Sequence, residues 1–381
     1  MKVTEVQTHL AAGWTFVKVL TDEGIYGVGE VHPASGTGGT PFASRAAIEY
    51  HAEYLIGKDP REIERNWQHM FRRCLFRGGS DAMAALGGID MAVWDIAGKA
   101  AGLPVHKLIG GPTRDQIRVY AHLGGETPEI MAENAIALKE EGYTALRYYP
   151  IGSFNASTMP GYQELVHIAV SYTAAVREAV GPDLDLMIDV VNRLTPPEAI
   201  AIGRALEPYG LYFFEDPIEP DSIDAMAHVA ANVPMPVASG ERLYTIYQFQ
   251  ELVNKNASAY ARPDMSLVGG ITNMRKIAAI CEAAYVGVAP HNPLSPIMTA
   301  ANVQFDAATH NIAIQEYRPT EATEATAELV DQPVEIKDGH LQIPDRPGLG
   351  IDLNLEAFKH HPPERRARPL LTTSDGALRD Y

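Results

Sequence analysis

Residues 186–192, LMIDVVN, are a short apolar run that ends in an acid. The same figure returns as YFFEDP (212–217), VASGER (237–242), YARPDMS (260–266), GVAPHNP (287–293) and IAIQEY (312–317). The ionisable residues in these runs, Asp189, Glu215, Glu241, Asp264, His291 and Glu316, stand 26, 26, 23, 27 and 25 residues apart. A strand, a turn, a helix and a second turn use roughly that much chain. One such residue per strand end is what a (β/α)8-type barrel gives when its site lies at the C-terminal mouth.

Working outward, the alternation of strand and helix begins near residue 117, with strands predicted over 117–124 and 145–151. Helical stretches fall at 129–141, 162–180, 197–208 and 221–231. This places an α/β barrel over residues 113–318, with its last helix weak. Residues 1–112 read as an α+β capping domain. It starts with a strand around Val3 and Val6, then FVKVL (16–20), a turn at Asp22–Gly24 and IYGVGEV (25–31). Residues 32–42, rich in Gly, Ser and Pro, suggest a mobile loop. Helices follow over 60–77 and 80–101, the second with Ser80 as its expected N-cap. Residues 319–381 contain a turn-rich strand pair in KDGHLQIPDRPGLG (337–350) and are expected to pack back on the capping domain.

The formal charge of −17 argues against nucleic acid or an anionic membrane as partner. It leaves a small anionic substrate open, because local cations at a site override the global sign. Two cysteines, Cys74 and Cys281, are too few for a disulfide framework. MKVTEVQTHL has no apolar leader core, and no apolar run reaches the ~18 residues of a membrane span. A soluble cytoplasmic protein is expected.

Asp189, Glu215 and Glu241 end three consecutive strands, whose tips lie ~4.8 Å apart and can converge. Three anions that close call for a cation, and Mg2+ with oxygen ligands is the natural choice. Across the barrel, Asp264 would hold one nitrogen of His291 and make the other a base. Glu316 would bond a substrate oxygen. Arg147 and Tyr149 share a face of the second strand, the first suited to clamp a carboxylate and the second to carry a proton. Tyr162 is a weaker candidate of the same kind. Gly36, Gly38 and Gly39 suit a loop that moves and excludes water. Arg77 is a further candidate to reach the site.

These pieces together resemble the enolase superfamily, and within it the mandelate racemase subgroup. The resemblance is carried by LMID (186–189), FFEDP (213–217), VASGER (237–242), RPDMSLVGGIT (262–272), APHNPLSPI (289–297) and IQEY (314–317). GGIDMAVWDIAGKAAGLPVHKLIGG (87–111) and PGLGID (347–352) extend it toward both ends. The look is that of galactonate, mannonate or gluconate dehydratases. The resemblance implies Mg2+ on Asp189, Glu215 and Glu241, α-proton removal through an enediolate, and loss of a β-hydroxyl to give a 2-keto-3-deoxy acid. It also implies that the loop with Gly36, Gly38 and Gly39, together with Trp14 and His32, closes over the mouth and touches substrate. A homo-oligomer, dimer or octamer, is implied as well. Two positions depart from the pattern. Val191 stands where galactonate and mannonate dehydratases carry an acid histidine, and Arg147 and Tyr149 stand where racemases carry Lys-x-Lys. Cycloisomerisation or epimerisation of a sugar acid on the same scaffold is the alternative within enzymes. A non-catalytic sugar-acid-binding homologue is the alternative outside them.

Overall fold

The computed structural model describes residues 1–32, 41–152, 156–322, 325–364 and 370–380. The expected loop with Gly36, Gly38 and Gly39 lies outside the described residues. The chain opens with three antiparallel strands, β1 (Val3–Ala11), β2 (Trp14–Thr21) and β3 (Tyr26–Val31), paired in that order. Helices α1 (Pro41–Leu55), α2 (Ile63–Arg73) and α3 (Ser80–Ala101) cover the sheet, and a short α4 (Val105–Leu108) leads away. Gly79, with φ of 83°, is the N-cap of α3. Ser80 is already helical, so the expected serine cap is displaced by one residue.

Strands β4 (Gln116–Leu123), β5 (Ala145–Tyr148), β6 (Asp185–Asp189), β7 (Phe213–Glu215), β8 (Val237–Ser239), β9 (Tyr260–Ala261) and β10 (Gly287–Val288) pair in parallel in chain order. β11 (Gln315–Tyr317) returns to pair with β4, and a parallel bridge from Val288 to Ile312 closes the ring. Helices α5 (Pro128–Glu140), α6 (Tyr162–Val180), α7 (Pro196–Ala205), α8 (Ile223–Ala230), α9 (Ile246–Asn254), α10 (Ile271–Glu282) and α11 (Pro296–Ala307) fill the connections. Their starts follow local chemistry. Thr195 with Glu198 and Thr245 with Gln248 make capping boxes, and Ser295 caps α11 just ahead of Pro296. After β11 comes a short 3-10 turn, Pro319–Ala322, and α12 (Ala325–Glu328) in place of an eighth barrel helix.

The inside of the barrel is plugged by one buried cluster, Tyr120, Ala145, Met187, Phe213, Ala238, Ala289 and Ile314, with Tyr260 packed against it. Side chains two apart on a strand share a face. The residues two positions beyond seven of these eight are His122, Arg147, Asp189, Glu215, Arg262, His291 and Glu316. The apolar plug thus sets which ionisable groups point into the mouth.

The tail divides. β12 (Val330–Asp331) pairs with β15 (Asp352–Leu353), and β13 (Ile336–Lys337) with β14 (His340–Gln342). β14 continues onto β4 of the barrel. The Tyr26 hydroxyl donates to Asp352 (2.5 Å), and Phe358 lies edge-on to Phe16 at 5.5 Å, so this stretch lies against the capping sheet. Residues 370–380 do not. Thr372 pairs with Ser157 and Met159 above β5, and Arg379 reaches Glu198 of α7. The tail is expected from the sequence to pack back on the capping domain as one segment; in the structure Asp352 and Phe358 touch the capping sheet, and residues 372–379 meet the barrel. The last part binds barrel connections, whose open backbone groups pair with its own.

The capping domain is joined closely to the mouth. A Cβ on Gly87 of α3 would lie 2.1 Å from the Ser266 carbonyl oxygen, so only glycine lets α3 approach the segment after Asp264. No helix among the described residues is long and apolar enough to cross a membrane.

Candidate functional site

Six carboxylates, Asp189, Glu215, Asp216, Glu241, Asp264 and Glu316, gather at the barrel mouth around two arginines, the partly buried Arg147 and the buried Arg262. Arg147 reaches from β5 with Nη1 3.1 Å from Asp189, Nε 3.6 Å from Glu215 and Nη2 2.8 Å from Glu316. Arg262, fully buried, places Nη2 2.8 Å from Glu215 and 2.7 Å from Glu316. Arg262 was not singled out from the sequence, although it lies two residues before Asp264 and so on the same strand face.

Glu316 accepts from Arg147, Arg262, the Asn292 amide (2.8 Å) and His122 Nε2 (2.6 Å). Burial opposes its ionisation, but Arg262, His291 and His122 hold the carboxyl well below its usual range. Burial, with Arg147 close by, pushes the His122 imidazole down to about 4. His122 is then neutral, and its Nε2–H points at Glu316. This residue, too, went unremarked in the sequence, where IRVYAHLG (117–124) reads only as a strand.

His291 sits between two acids. Its Nδ1 is 2.9 Å from Asp264 and its Nε2 3.3 Å from Glu241. Burial disfavours the imidazolium, but Glu241, Glu316 and Asp264 outweigh it and raise the group to about 9. Burial also opposes the Asp264 charge, and His32 and His291 outweigh it, so that carboxyl is held low. His32 enters from the end of β3, its backbone amide tied to Ser266 Oγ (2.8 Å) and its Nε2 3.8 Å from Asp264. The two imidazoles stack at 6.0 Å. His32, Asp264 and His291 thus form one cluster.

Of the three carboxylates expected to share a cation, Glu215 and Glu241 come together with Asp216: one oxygen of each lies within 4.8 Å of the others. Asp189 is not one of that trio; its Oδ2 lies 3.1 Å from Arg147 Nη1, and its Oδ1 accepts from the Val191 amide (2.7 Å). Burial raises Asp189, raises Glu215 well above its ordinary value and carries Asp216 to about 7. Both oxygens of Glu215 and one of Asp216 are buried and accept no aligned hydrogen bond, although the Arg262 and Arg147 guanidinium groups lie 2.8 and 3.6 Å from Glu215. Hard oxygen donors in this state suit a divalent cation such as Mg2+.

The turn after β6 is strained. Val191 and Asn192 have φ of 53° and 61°, a region that a β-branched residue rarely enters and that costs about 1–3 kcal/mol. The Asn192 side chain holds the turn: its amide is oriented to donate to the Ile218 carbonyl (2.8 Å) and accept from Arg242 Nε (3.0 Å). The turn brings in Arg193, also missed in the sequence, whose Nη1 donates to the Tyr149 hydroxyl (2.9 Å).

The remaining candidates divide. Trp14 is buried, with Arg318 5.7 Å over its ring just past β11. Arg77 is exposed and lies 6.0 Å over Phe71 rather than among the carboxylates. Tyr162 needs correcting. As the first residue of α6 it is 45% exposed, in a surface depression with Pro196, Arg204 and His228, and the fold does not bring it to the strand ends.

Residues 2–110 match the mandelate racemase / muconate lactonizing enzyme N-terminal domain, and residues 130–357 match the enolase C-terminal domain-like family. The chain is 36% identical over 390 residues to a D-galactonate dehydratase of Variovorax paradoxus, and 35% identical over 390 residues to one of Xanthomonas oryzae. Each match covers 100% of both chains. A candidate galactarate dehydratase from Agrobacterium radiobacter, solved with sodium and L-malate, superposes with a TM-score of 0.92 at 30% identity, covering 100% of each chain. The chain belongs to the enolase superfamily, in its mandelate racemase / muconate lactonizing enzyme group.

Proposed function

We propose that this protein is a hydro-lyase that dehydrates an acid sugar, an aldonate or aldarate, to a 2-keto-3-deoxy acid. The observation that carries the reading is His291, held between Asp264 and Glu241 beside a cup of buried carboxylates. The names of the dehydratase relatives support the reaction class.

Asp189, Glu215 and Glu241, with Asp216 beside them, would hold Mg2+. That ion supplies positive charge against the enediolate that forms when the α-proton leaves. The chain's own groups do the rest. Asp264 fixes the His291 ring; a cation held on Glu241 would cancel the charge that contributes most to raising that ring, and Nε2 of the neutral imidazole takes the α-proton. Glu316, set by four donors, is an ionised carboxylate that can accept from a substrate hydroxyl or from the enediol. The C–H electron pair forms the new double bond, the β C–O bond breaks, and the hydroxyl leaves with a proton as water. His291 can return that proton on the same face, so no acid is needed at Val191. Tyr149, just past the end of β5, is the donor for loss from the opposite face. The enol product then tautomerises.

A screen of aldonic and aldaric acids with the Mg2+-supplemented protein, read with semicarbazide, tests the proposal. Keto-acid release from at least one acid is expected. Substrate consumed without keto acid would point to the cycloisomerase or epimerase alternative. Binding with no solvent exchange of the α-proton would point to a non-catalytic homologue.

A further inference from the structure

The strained β6–α7 turn is gripped from two sides by arginines that come from distant parts of the chain. Arg242, just past β8, donates from Nη2 to the Val191 carbonyl (3.2 Å). Arg379 donates from Nη2 to the Arg193 carbonyl (3.1 Å) and to Glu198 Oε2 (2.7 Å). That carboxylate oxygen also accepts from the amide and hydroxyl of Thr195, each at 2.7 Å. One acid therefore joins the C-terminal segment, the turn and the cap of α7.

The segment that carries Arg379 is a small closed hairpin. The Thr373 amide donates to the Ala377 carbonyl (2.8 Å), and the Arg379 amide to the Leu371 carbonyl (3.0 Å). It sits on the β5–α6 connection through Met159 N to Thr372 O (2.8 Å) and Thr372 N to Ser157 O (3.0 Å). Leu371 is buried, but Leu370 and Leu378 are 66% and 71% exposed. The hairpin thus adds little apolar packing. Its hydrogen bonds reach the two connections that carry Tyr149 and Arg193.

We infer that residues 371–379 are a positioning element of the active site. Arg379 fixes the turn whose Val191 amide sets Asp189 and whose Arg193 meets the Tyr149 hydroxyl. The Arg193 carbonyl belongs to the residue whose side chain reaches Tyr149, so releasing it frees the backbone that aims that guanidinium. The inference rests on the reading above, in which Asp189 and Tyr149 serve the reaction.

Two readouts that do not use turnover test it on the full chain. In protein labelled with 3-fluorotyrosine, the Tyr149 resonance is assigned by its loss in Tyr149→Phe. It should move in Arg379→Ala and in Arg193→Met alike, and return in Arg379→Lys. Amide exchange across residues 189–195 should quicken at least ~10-fold in Arg379→Ala, with other segments unchanged. A Tyr149 resonance that stays in place, or unchanged exchange in that segment, overturns the inference. A negative acid-sugar screen would count against the reaction and leave this result standing.

Discussion

Arg147 Nη2 and the Glu316 carboxylate meet at 2.8 Å across the join between β5, β4 and β11, where the barrel ring closes. A partly buried cation thereby stands on the rim of the carboxylate cup, with Asp189 and Glu215 on its other side.

Arg147→Met removes that cation and leaves buried anions uncompensated. A loss of roughly 3–5 kcal/mol in stability is expected. Saturating MgCl2 should restore more of it in the variant than in the parent, because a divalent ion takes over the charge. Calorimetry with and without MgCl2 checks this, and equal shifts in both proteins would speak against a cation site beside Arg147.

Asp264→Asn keeps the shape beside His291 but removes the charge that orients the ring and raises its basicity. Turnover should fall by about 10²-fold or more, with a much smaller change in KM. Steady-state kinetics on whichever acid the screen identifies would measure it. An unchanged kcat would remove Asp264 from the proton-transfer pair.

Val191→Gly relieves a left-handed β-branched residue while preserving the amide that donates to Asp189. The strain released, about 1–3 kcal/mol, opposes the roughly 1 kcal/mol that glycine costs through the unfolded chain. The variant should be as stable as the parent or slightly more so by urea unfolding. A loss of more than ~1 kcal/mol would mean that the side chain packs more than its backbone strains.

Glu30 lies in β3, its carboxyl buried against Ser295 and Met298 at the start of α11. Burial pushes it up from its ordinary 4.5 to about 8, although those hydrogen bonds pull the other way. The folded protein keeps a proton there that the unfolded chain gives up, so stability from this group falls as pH rises from about 4.5 to about 8. Glu30→Gln should flatten the decline of Tm over that window by the equivalent of roughly 1–3 kcal/mol. Parallel slopes for variant and parent would mean that Glu30 stays ionised in its pocket.

The barrel was legible because each rung residue follows an apolar strand. The caps Thr195, Thr245 and Ser295 went unremarked, although each stands directly ahead of its helix. The His291–Asp264 contact also follows from the spacing, since each sits three residues past the end of one of two neighbouring strands. Arg262, His122 and Arg193 were harder to see. Each lies within a run already assigned to another purpose, and only the inward phase set by Tyr120 and Tyr260 reveals the first two. Asp216 follows Glu215 directly and would point outward on a regular strand. Its φ of 38° turns it inward instead, which no periodicity signals. Tyr162 was misjudged because a helix start fixes where a residue lies along the barrel, not which way its ring faces. The seat of Arg379 depends on two loops more than 180 residues away in sequence and has no local signature.

The most direct test follows the α-proton itself. In deuterated buffer with MgCl2, the wild-type protein should wash deuterium into the α-position of an acid sugar or its product, while His291→Asn, folded to the same Tm, should not. Exchange that persists undiminished in His291→Asn would contradict the account at its centre.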